Sequence, residues 1–350
     1  MSKKWPGGII TPTPATPTGP YENGAAPGIW TLSQQAYWQK QGLWPMAGNP
    51  SPVGLFAGGG GAGGSFLGQI GKIDIPTTGN AVSWGSLAQD TKFMGACSST
   101  TTALWGGGYA TGSVNVSSIY YTTISTSGTA TYFGALNNGG NNIQELAGCS
   151  SSTRGLFGGG YDAGANYVCL ISYVTISATG NATTFGNLTV GRRQLGATSS
   201  STRGIFVGGI VNSTDETNVM DYVTIASTGN ATSFGILNNR LSYISGCASS
   251  TRGLFSGGLD FNGNFVNTIQ YVTIATTGNA ASFGSLTSTC YGTYSCSSQT
   301  RGVTALGYTT GNSSALNYVT IATTGNASTF GNLTVVAFYG GAASNAHGGL

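Results

Sequence analysis

The sequence predicts an all-β protein built from six tandem units of about 49 residues, and three observations carry that reading. Glycine supplies 59 of 350 residues while charged residues make up only 6%. The chain is nevertheless 39% hydrophobic and 11% aromatic, and its aromatic and β-branched residues recur at regular intervals. That separates it from a disordered Gly/Ser/Thr-rich chain and points to many short strands joined by tight turns. Finally, a turn centred on glycine returns at Gly79, Gly128, Gly180, Gly229, Gly278 and Gly325, with spacings of 49, 52, 49, 49 and 47.

The units agree in detail. YVTISATGNATTFGNL from Tyr173, YVTIASTGNATSFGIL from Tyr222 and YVTIATTGNASTFGNL from Tyr318 each read as strand, turn, strand. In the first strand Val174 and Ile176, like Val223 and Ile225, alternate with small polar residues, the period-2 pattern of a sheet with one face more buried. The Thr-Gly-Asn turn supplies residues that tolerate positive φ. The second strand carries an aromatic (Trp84, Phe133, Phe185, Phe234, Phe283, Phe330), then Gly, then a Leu three positions after the aromatic. The aromatic and the Leu are expected to pack between adjacent sheets. A third strand runs into a Ser-rich turn, as in CSSSTRG from Cys149, and a fourth follows, as in GLFGGG from Gly155.

Four short antiparallel strands in a unit of this length match one blade of a β-propeller, whose repeats run to about 40–50 residues. One such sheet could not bury both faces alone, whereas six stacked around an axis can. The order of a strand ending in Gly-Gly, a variable loop, a Tyr, a Thr-Gly turn, an aromatic and a Leu resembles the Kelch repeat over about residues 54–350. Gly208-Gly209 and Gly257-Gly258 are its clearest doublets. The unit reading VTALGY from Val303 departs by lacking one Gly, and the first has Ile73-Asp74-Ile75 for Val-Thr-Ile. By register Leu350 corresponds to Ile205, at the start of a fourth strand, so the last unit lacks that strand. Residues 53–59 have its sequence and are expected to close the ring, leaving no open edge. The expected fold is a six-bladed Kelch-like β-propeller of four-stranded antiparallel blades over 51–350, preceded by an N-terminal arm over 1–50.

That arm reads as extended over 1–28, with ITPTPATPTGP at 10–20 as linker, and as a short helix over about 31–41. Leu32, Ala36 and Tyr37 share a helical face, Thr31 or Ser33 caps the start, and Gly42 ends it. Trp30, Trp38 and Trp44 bring three of six tryptophans into this stretch. The candidate attachment residues are Trp30, Leu32, Tyr37, Trp38, Leu43 and Trp44, serving either to dock on another protein or to pack the helix on the propeller's outer wall. The segment ends in Gly-x-Trp-Pro and resembles a short element that accompanies structural and tail proteins of bacteriophages. Together with Gly/Ser/Thr-rich Kelch-like repeats, it implies a virion protein, tail or fibre associated and made in the host cytoplasm.

Chemistry is sparse. A single histidine, His347, argues against a His-based metal site or a Ser-His-Asp triad, and no cofactor, metal or catalytic residue is expected. The nine acids, among them Glu145 and Asp221, read as solvated loop residues. Twelve scattered basic residues and a net charge of +3 make nucleic acid a poor partner. No apolar run is long enough to span a bilayer. The six cysteines read as free thiols, four of them at one repeat position. Arg154, Arg203, Arg252 and Arg301 occupy the same turn of four units. They form a candidate ring on one face, for an acidic glycan or a virion partner, or they bond neighbouring carbonyls. The expected partners are other virion proteins through 1–50 and host-surface glycan through loops 109–119, 161–171, 210–221 and 259–270. Several copies are expected on the particle, as a homo-oligomer or singly. A carbohydrate-binding lectin is the alternative, with Tyr161, Phe261 and Phe265 as its loop aromatics, and a polysaccharide-degrading enzyme stands behind it.

Overall fold

A computed structural model of the chain describes residues 16, 17, 26, 29–41, 44, 51–213 and 215–350. They fall into two units, Met1–Pro52 and Val53–Leu350. In the first, a helix spans Leu32–Lys40. Its start is a capping box: Thr31 Oγ1 accepts the Gln34 amide N–H at 3.2 Å, and Gln34 Oε1 accepts the Thr31 amide N–H at 2.9 Å.

Val53–Leu350 is almost wholly strand and turn. Five of its sheets have four antiparallel strands on one plan. In one of them Ala147–Ser150 pairs with Arg154–Gly158, then Leu170–Thr175, then Thr183–Asn187. The same order recurs in the sheets that begin at Gly95–Ser98, Gly196–Ser199, Ser245–Ala248 and Tyr294–Ser297. A further sheet draws on both ends of this unit. Gly341–Ser344 pairs antiparallel with Val53–Gly60, followed by Phe66–Asp74 and Val82–Ser86, and Gly128–Thr129 adds a short parallel strand.

Sheets and sequence units are out of phase. The first two strands of a unit, such as Leu170–Thr175 and Thr183–Asn187, finish one sheet, and its last two, Gly196–Ser199 and Arg203–Val207, start the next. The starting strands lie side by side in order, and the series returns to its origin because Gly341–Ser344 neighbours both Tyr294–Ser297 and Gly95–Ser98.

Strand alternation decides what fills the space between sheets. Phe185 and Leu188 of one sheet pack with Leu195, Phe206 and Val223 of the next in a single buried cluster. Four sheets repeat a further stack in which an Arg guanidinium lies 4.4–4.8 Å from a Tyr ring. The Tyr in turn meets the Phe of the outermost strand edge-on, as Tyr173 meets Phe185 at 5.9 Å.

The outermost strands are covered by the neighbouring turn. The Gly229 and Ala231 amides donate to the carbonyls of Phe185 and Asn187, both at 2.8 Å, and Asn230 Oδ1 accepts the Asn187 amide N–H at 3.0 Å. Asn80, Asn181, Asn279 and Asn326 do the same elsewhere. This contact explains the glycine after the aromatic of the outermost strand, since a Cβ on Gly186 would overlap the Gly229 carbonyl oxygen. It also occupies the side chains of Asn181, Asn230 and Asn326, each of which begins an Asn-x-Ser/Thr triplet.

After Ser344 the chain turns away, and Val53–Gly60 fills the place beside Gly341–Ser344. One expectation needs correction: the loop acids are not uniformly solvated. Asp221 is fully buried in the strand Val219–Thr224 and Glu145 is 7% exposed, because each has an arginine partner that makes burial tolerable.

Candidate functional site

The six starting strands surround a cavity of about 50 Å³ lined by small residues. Its wall is tied by serines. Ser98 Oγ donates to the Ser344 carbonyl, Ser150 to Ser98, Ser199 to Ser150, Ser297 to Ala248 and Ser344 to Ser297, each at 2.7 Å. Ala248 stands where a sixth serine would be. The cysteines at 97, 149, 247 and 296 are buried, and each sulfur meets a glycine of the neighbouring sheet, Cys149 against Gly204 for example. Burial pushes the Cys149 thiol up to about 12. These are packing groups rather than nucleophiles.

At the end of the cavity next to the Ser-rich turns, the tail after Ser344 folds across the opening. His347 Nε2 lies 3.1 Å from the Ser98 carbonyl, which makes it the donor, and Nδ1 accepts the Gly349 amide N–H at 3.0 Å. Both ring nitrogens are thereby engaged in the neutral form. Desolvation lowers the His347 pKa to about 4. Since the unfolded chain binds this proton near pH 6.5, the stability from the neutral ring is complete above pH 6.5 and is lost as pH falls towards 4. Wild-type protein is expected to lose about 2 kcal/mol from this group between pH 8 and pH 5, and His347→Gln to lack that component. Urea midpoints of both proteins across this range test it; parallel pH profiles would refute it.

At the other end, each starting strand is preceded by a residue in the left-handed region: Phe93, Glu145, Gln194, Tyr243 and Tyr339 at φ of 53–63°, and Gly292 at φ 65°. Five of these positions are ordinary side chains where glycine is favoured, so tertiary contacts over-determine them. The contacts include a chain of backbone bonds. The Glu145 amide donates to Phe93, Gln194 to Glu145, Tyr243 to Gln194, Phe93 to Tyr339 and Tyr339 to Gly292, at 2.8–2.9 Å.

The side chains of this circle converge. Phe93 and Tyr339 are 4.2 Å apart between ring centroids, and Tyr339 and Tyr243 are 4.9 Å apart. Tyr243 meets Tyr291 at 5.6 Å, Tyr291 meets Phe265 at 4.6 Å, and Tyr308 lies 5.4 Å from Tyr291 and 5.9 Å from Phe338. All keep part of their surface in water. Glu145, a member of the left-handed circle, pairs with Arg193 at 3.0 Å. Burial pushes the Glu145 carboxyl up, and Arg193 offsets only part of that. Arg193 also lies 4.7 Å from the Tyr161 ring, and Arg240 lies 5.7 Å from that of Phe261.

The residues singled out from sequence are placed as follows. Arg154, Arg203, Arg252 and Arg301 each donate from Nη1 to two consecutive carbonyls of the neighbouring sheet at 2.8–3.0 Å, Arg203 for instance to Ile274 and Ala275. Each also stacks on a Tyr, so these guanidinium groups tie sheet to sheet. In the N-terminal unit Trp30 meets Trp38 at 6.4 Å and Trp44 at 5.6 Å, and Tyr37 meets Trp38 at 5.0 Å. Leu32 and Tyr37 are largely exposed, at 85% and 55%. Leu43 lies outside the described residues. Of the lectin aromatics, Phe265 joins the ring cluster, while Tyr161 and Phe261 stand beside Arg193 and Arg240. The left-handed circle was not legible in advance, because its members share a repeat position but no residue type.

Among the described residues no group of three or more His, Cys, Asp or Glu could hold a metal ion. No helix there is long and apolar enough to cross a membrane. No protein-family model matches the chain, and no curated protein matches it.

Proposed function

We propose that the six sheets are the blades of a Kelch-like β-propeller and that the chain is a non-enzymatic virion protein of a bacteriophage, tail or fibre associated, made in the host cytoplasm. Residues 1–50 attach it to other virion proteins, and the propeller presents its loop end to the host surface. The observation that carries the binding role is the cluster of partly exposed aromatic rings at the loop end. A propeller needs no such surface for its own stability, whereas recognition surfaces are enriched in Tyr and Phe. The series of starting strands that returns to Gly341–Ser344 supports the propeller. The tryptophan cluster beside exposed Leu32 and Tyr37 supports attachment.

A binding role also accords with how the carboxylates are used. Glu145 and Asp221 are tied to arginines. Asp162 accepts the Gly164 and Asn166 amides at 2.9 Å, and Asp260 accepts those of Asn262 and Asn264 at 2.9 and 2.8 Å, which holds their own loops in shape.

The test is co-sedimentation with particles assembled without this protein. The full-length chain is expected to sediment with them and a chain starting at Ser51 to stay in solution. If neither sediments, the virion reading falls. If both do, attachment lies outside residues 1–50.

A further inference from the structure

We infer that the loop end docks a protein that presents Lys or Arg side chains to the aromatic patch around Tyr291. This rests on the loop-end binding role proposed above and names the kind of partner.

The patch is compact. The Tyr291 ring lies 4.6, 5.4, 5.6 and 5.8 Å from those of Phe265, Tyr308, Tyr243 and Tyr339, each contact edge-on or tilted. Phe93 and Phe338 extend it beyond Tyr339, at 4.2 and 4.4 Å. Rings packed in this way leave no row of faces along which a sugar chain could stack. They form instead one contiguous apolar area with phenol groups in it, the composition of the core of a protein interface, where Tyr and Phe are enriched.

The charges of the surrounding loops fix the sign of the partner. Asp90, Asp162, Asp215, Glu216 and Asp260 have no cationic partner among the described residues, and Lys92 and Arg240 have no anionic one, while Glu145 and Asp221 are neutralised by Arg193 and Arg192. Five acids against two bases leave this end with a net charge of −3. Arg154, Arg203, Arg252 and Arg301 stand at the opposite end, beside the Ser-rich turns. An acidic or phosphate-bearing ligand is therefore repelled here, and a cationic surface is drawn in.

The rings of this end also take cations. Lys92 lies 4.6 Å from Phe66 and 5.6 Å from Phe93 at the edge of the patch, Arg193 lies 4.7 Å from Tyr161, and Arg240 lies 5.7 Å from Phe261. Among the described residues no Lys or Arg lies over Tyr243, Phe265, Tyr291, Tyr308, Phe338 or Tyr339. These rings keep part of their surface in water, so a partner's ammonium or guanidinium group can reach them and gain the attraction that a ring quadrupole offers a cation.

Biolayer interferometry of the full chain against a short immobilised peptide of alternating Leu and Arg, beside its Leu and Glu counterpart, tests the inference. The Arg peptide is expected to bind and the Glu peptide to stay free. Tyr291→Ala should weaken binding about tenfold or more, with an unchanged melting temperature showing that the variant folds. On the rim, the double variant Asp90→Asn with Glu216→Gln should slow association about threefold and Arg240→Glu should speed it, both effects fading at high salt. Binding of neither peptide, equal binding of both, or rim variants that match wild type would overturn it, as would self-association of the chain that Tyr291→Ala abolishes, which assigns the patch to a second copy. Binding of the full chain to intact host cells separates the two proposals. Binding that protease treatment of the cells removes and periodate treatment leaves supports both. Any other pattern of loss, or binding that survives protease, removes the protein partner and leaves the loop-end role, and absence of any cell binding removes both.

Discussion

Replacing Asp221 by Ala is expected to destabilise the protein by about 3–5 kcal/mol, the cost of stranding a buried arginine without its counter-charge. Asp221 and Arg192 are both fully buried and bonded at 2.7 Å, and Asp221 also accepts the Thr189 hydroxyl at 2.7 Å and the Thr189 amide at 3.2 Å. Arg192 Nη2 reaches only the Phe206 carbonyl besides, at 3.2 Å, and its Nε has no partner. The same site in the neighbouring sheets is neutral. Gln270 accepts the Asn238 amide and Asn317 the Thr287 amide, while Ser172 donates to the Asn137 carbonyl. Four of the six sheets thus use a polar side chain here to satisfy backbone leaving the outer strand, Tyr120 and Gly71 holding the position in the other two, and among the described residues only the Asp221 sheet uses an ion pair. The double variant Arg192→Met with Asp221→Asn is accordingly expected to recover most of the loss, since Asn keeps an acceptor for Thr189 and no charge remains to be paired. Urea denaturation of both variants beside wild type decides the matter. A single variant within about 1 kcal/mol of wild type would mean that water or a rearranged neighbour reaches Arg192.

Ending the chain at Gly340 is expected to abolish cooperative folding. The ten residues removed include Gly341–Ser344, which pairs with Val53–Gly60 from Gly54↔Ser344 to Ala57↔Gly341 and contacts the starting strands on both sides. They also carry the Ser344 hydroxyl that reaches the Ser297 carbonyl, and Ala343, which packs with Leu55, Ala57 and Trp105. Losing them bares the edge of Val53–Gly60, opens the wall of the cavity and leaves the Trp105 indole N–H without its Gly341 acceptor. Since a domain is stable by only about 5–15 kcal/mol, that loss exceeds what the remaining sheets can supply. Circular dichroism melts of the shortened chain should show no sharp transition. A melt within a few degrees of the full chain would show that closure through Gly341–Ser344 is dispensable. Supplying residues 341–350 as a separate peptide should restore part of the transition if pairing, rather than chain length, is what matters.

Much of the β architecture was legible because it is local and repeated. A Tyr-Val-Thr-Ile strand followed by Thr-Gly-Asn and a Phe strand declares its hairpin through period-2 alternation and turn chemistry, both properties of neighbouring residues. Pairing of residues 53–59 with the far end of the chain was legible for a different reason: an unmatched copy at one end complements a missing copy at the other. Less could be read about the arginines at 154, 203, 252 and 301. Their recurrence was plain, but recurrence does not distinguish a displayed charge from one that bonds the neighbouring sheet's carbonyls, and the distances show the second arrangement.

Repetition and alternation, then, belonged to the sequence itself: the all-β class, the unit length, the glycine after each second-strand aromatic and the apolar character of the buried face. Tertiary structure alone decided that units straddle two sheets, that Asp221 and Glu145 are buried partners of Arg192 and Arg193, that His347 is held neutral across one end of the cavity, and that Tyr243, Tyr291, Phe265 and Tyr308 meet at the other. The physical reason is reach. Alternation and turns act between residues a few positions apart, whereas ion pairing, desolvation and ring contacts depend on which distant residues the packed sheets bring together, and the residues concerned share no type from one unit to the next.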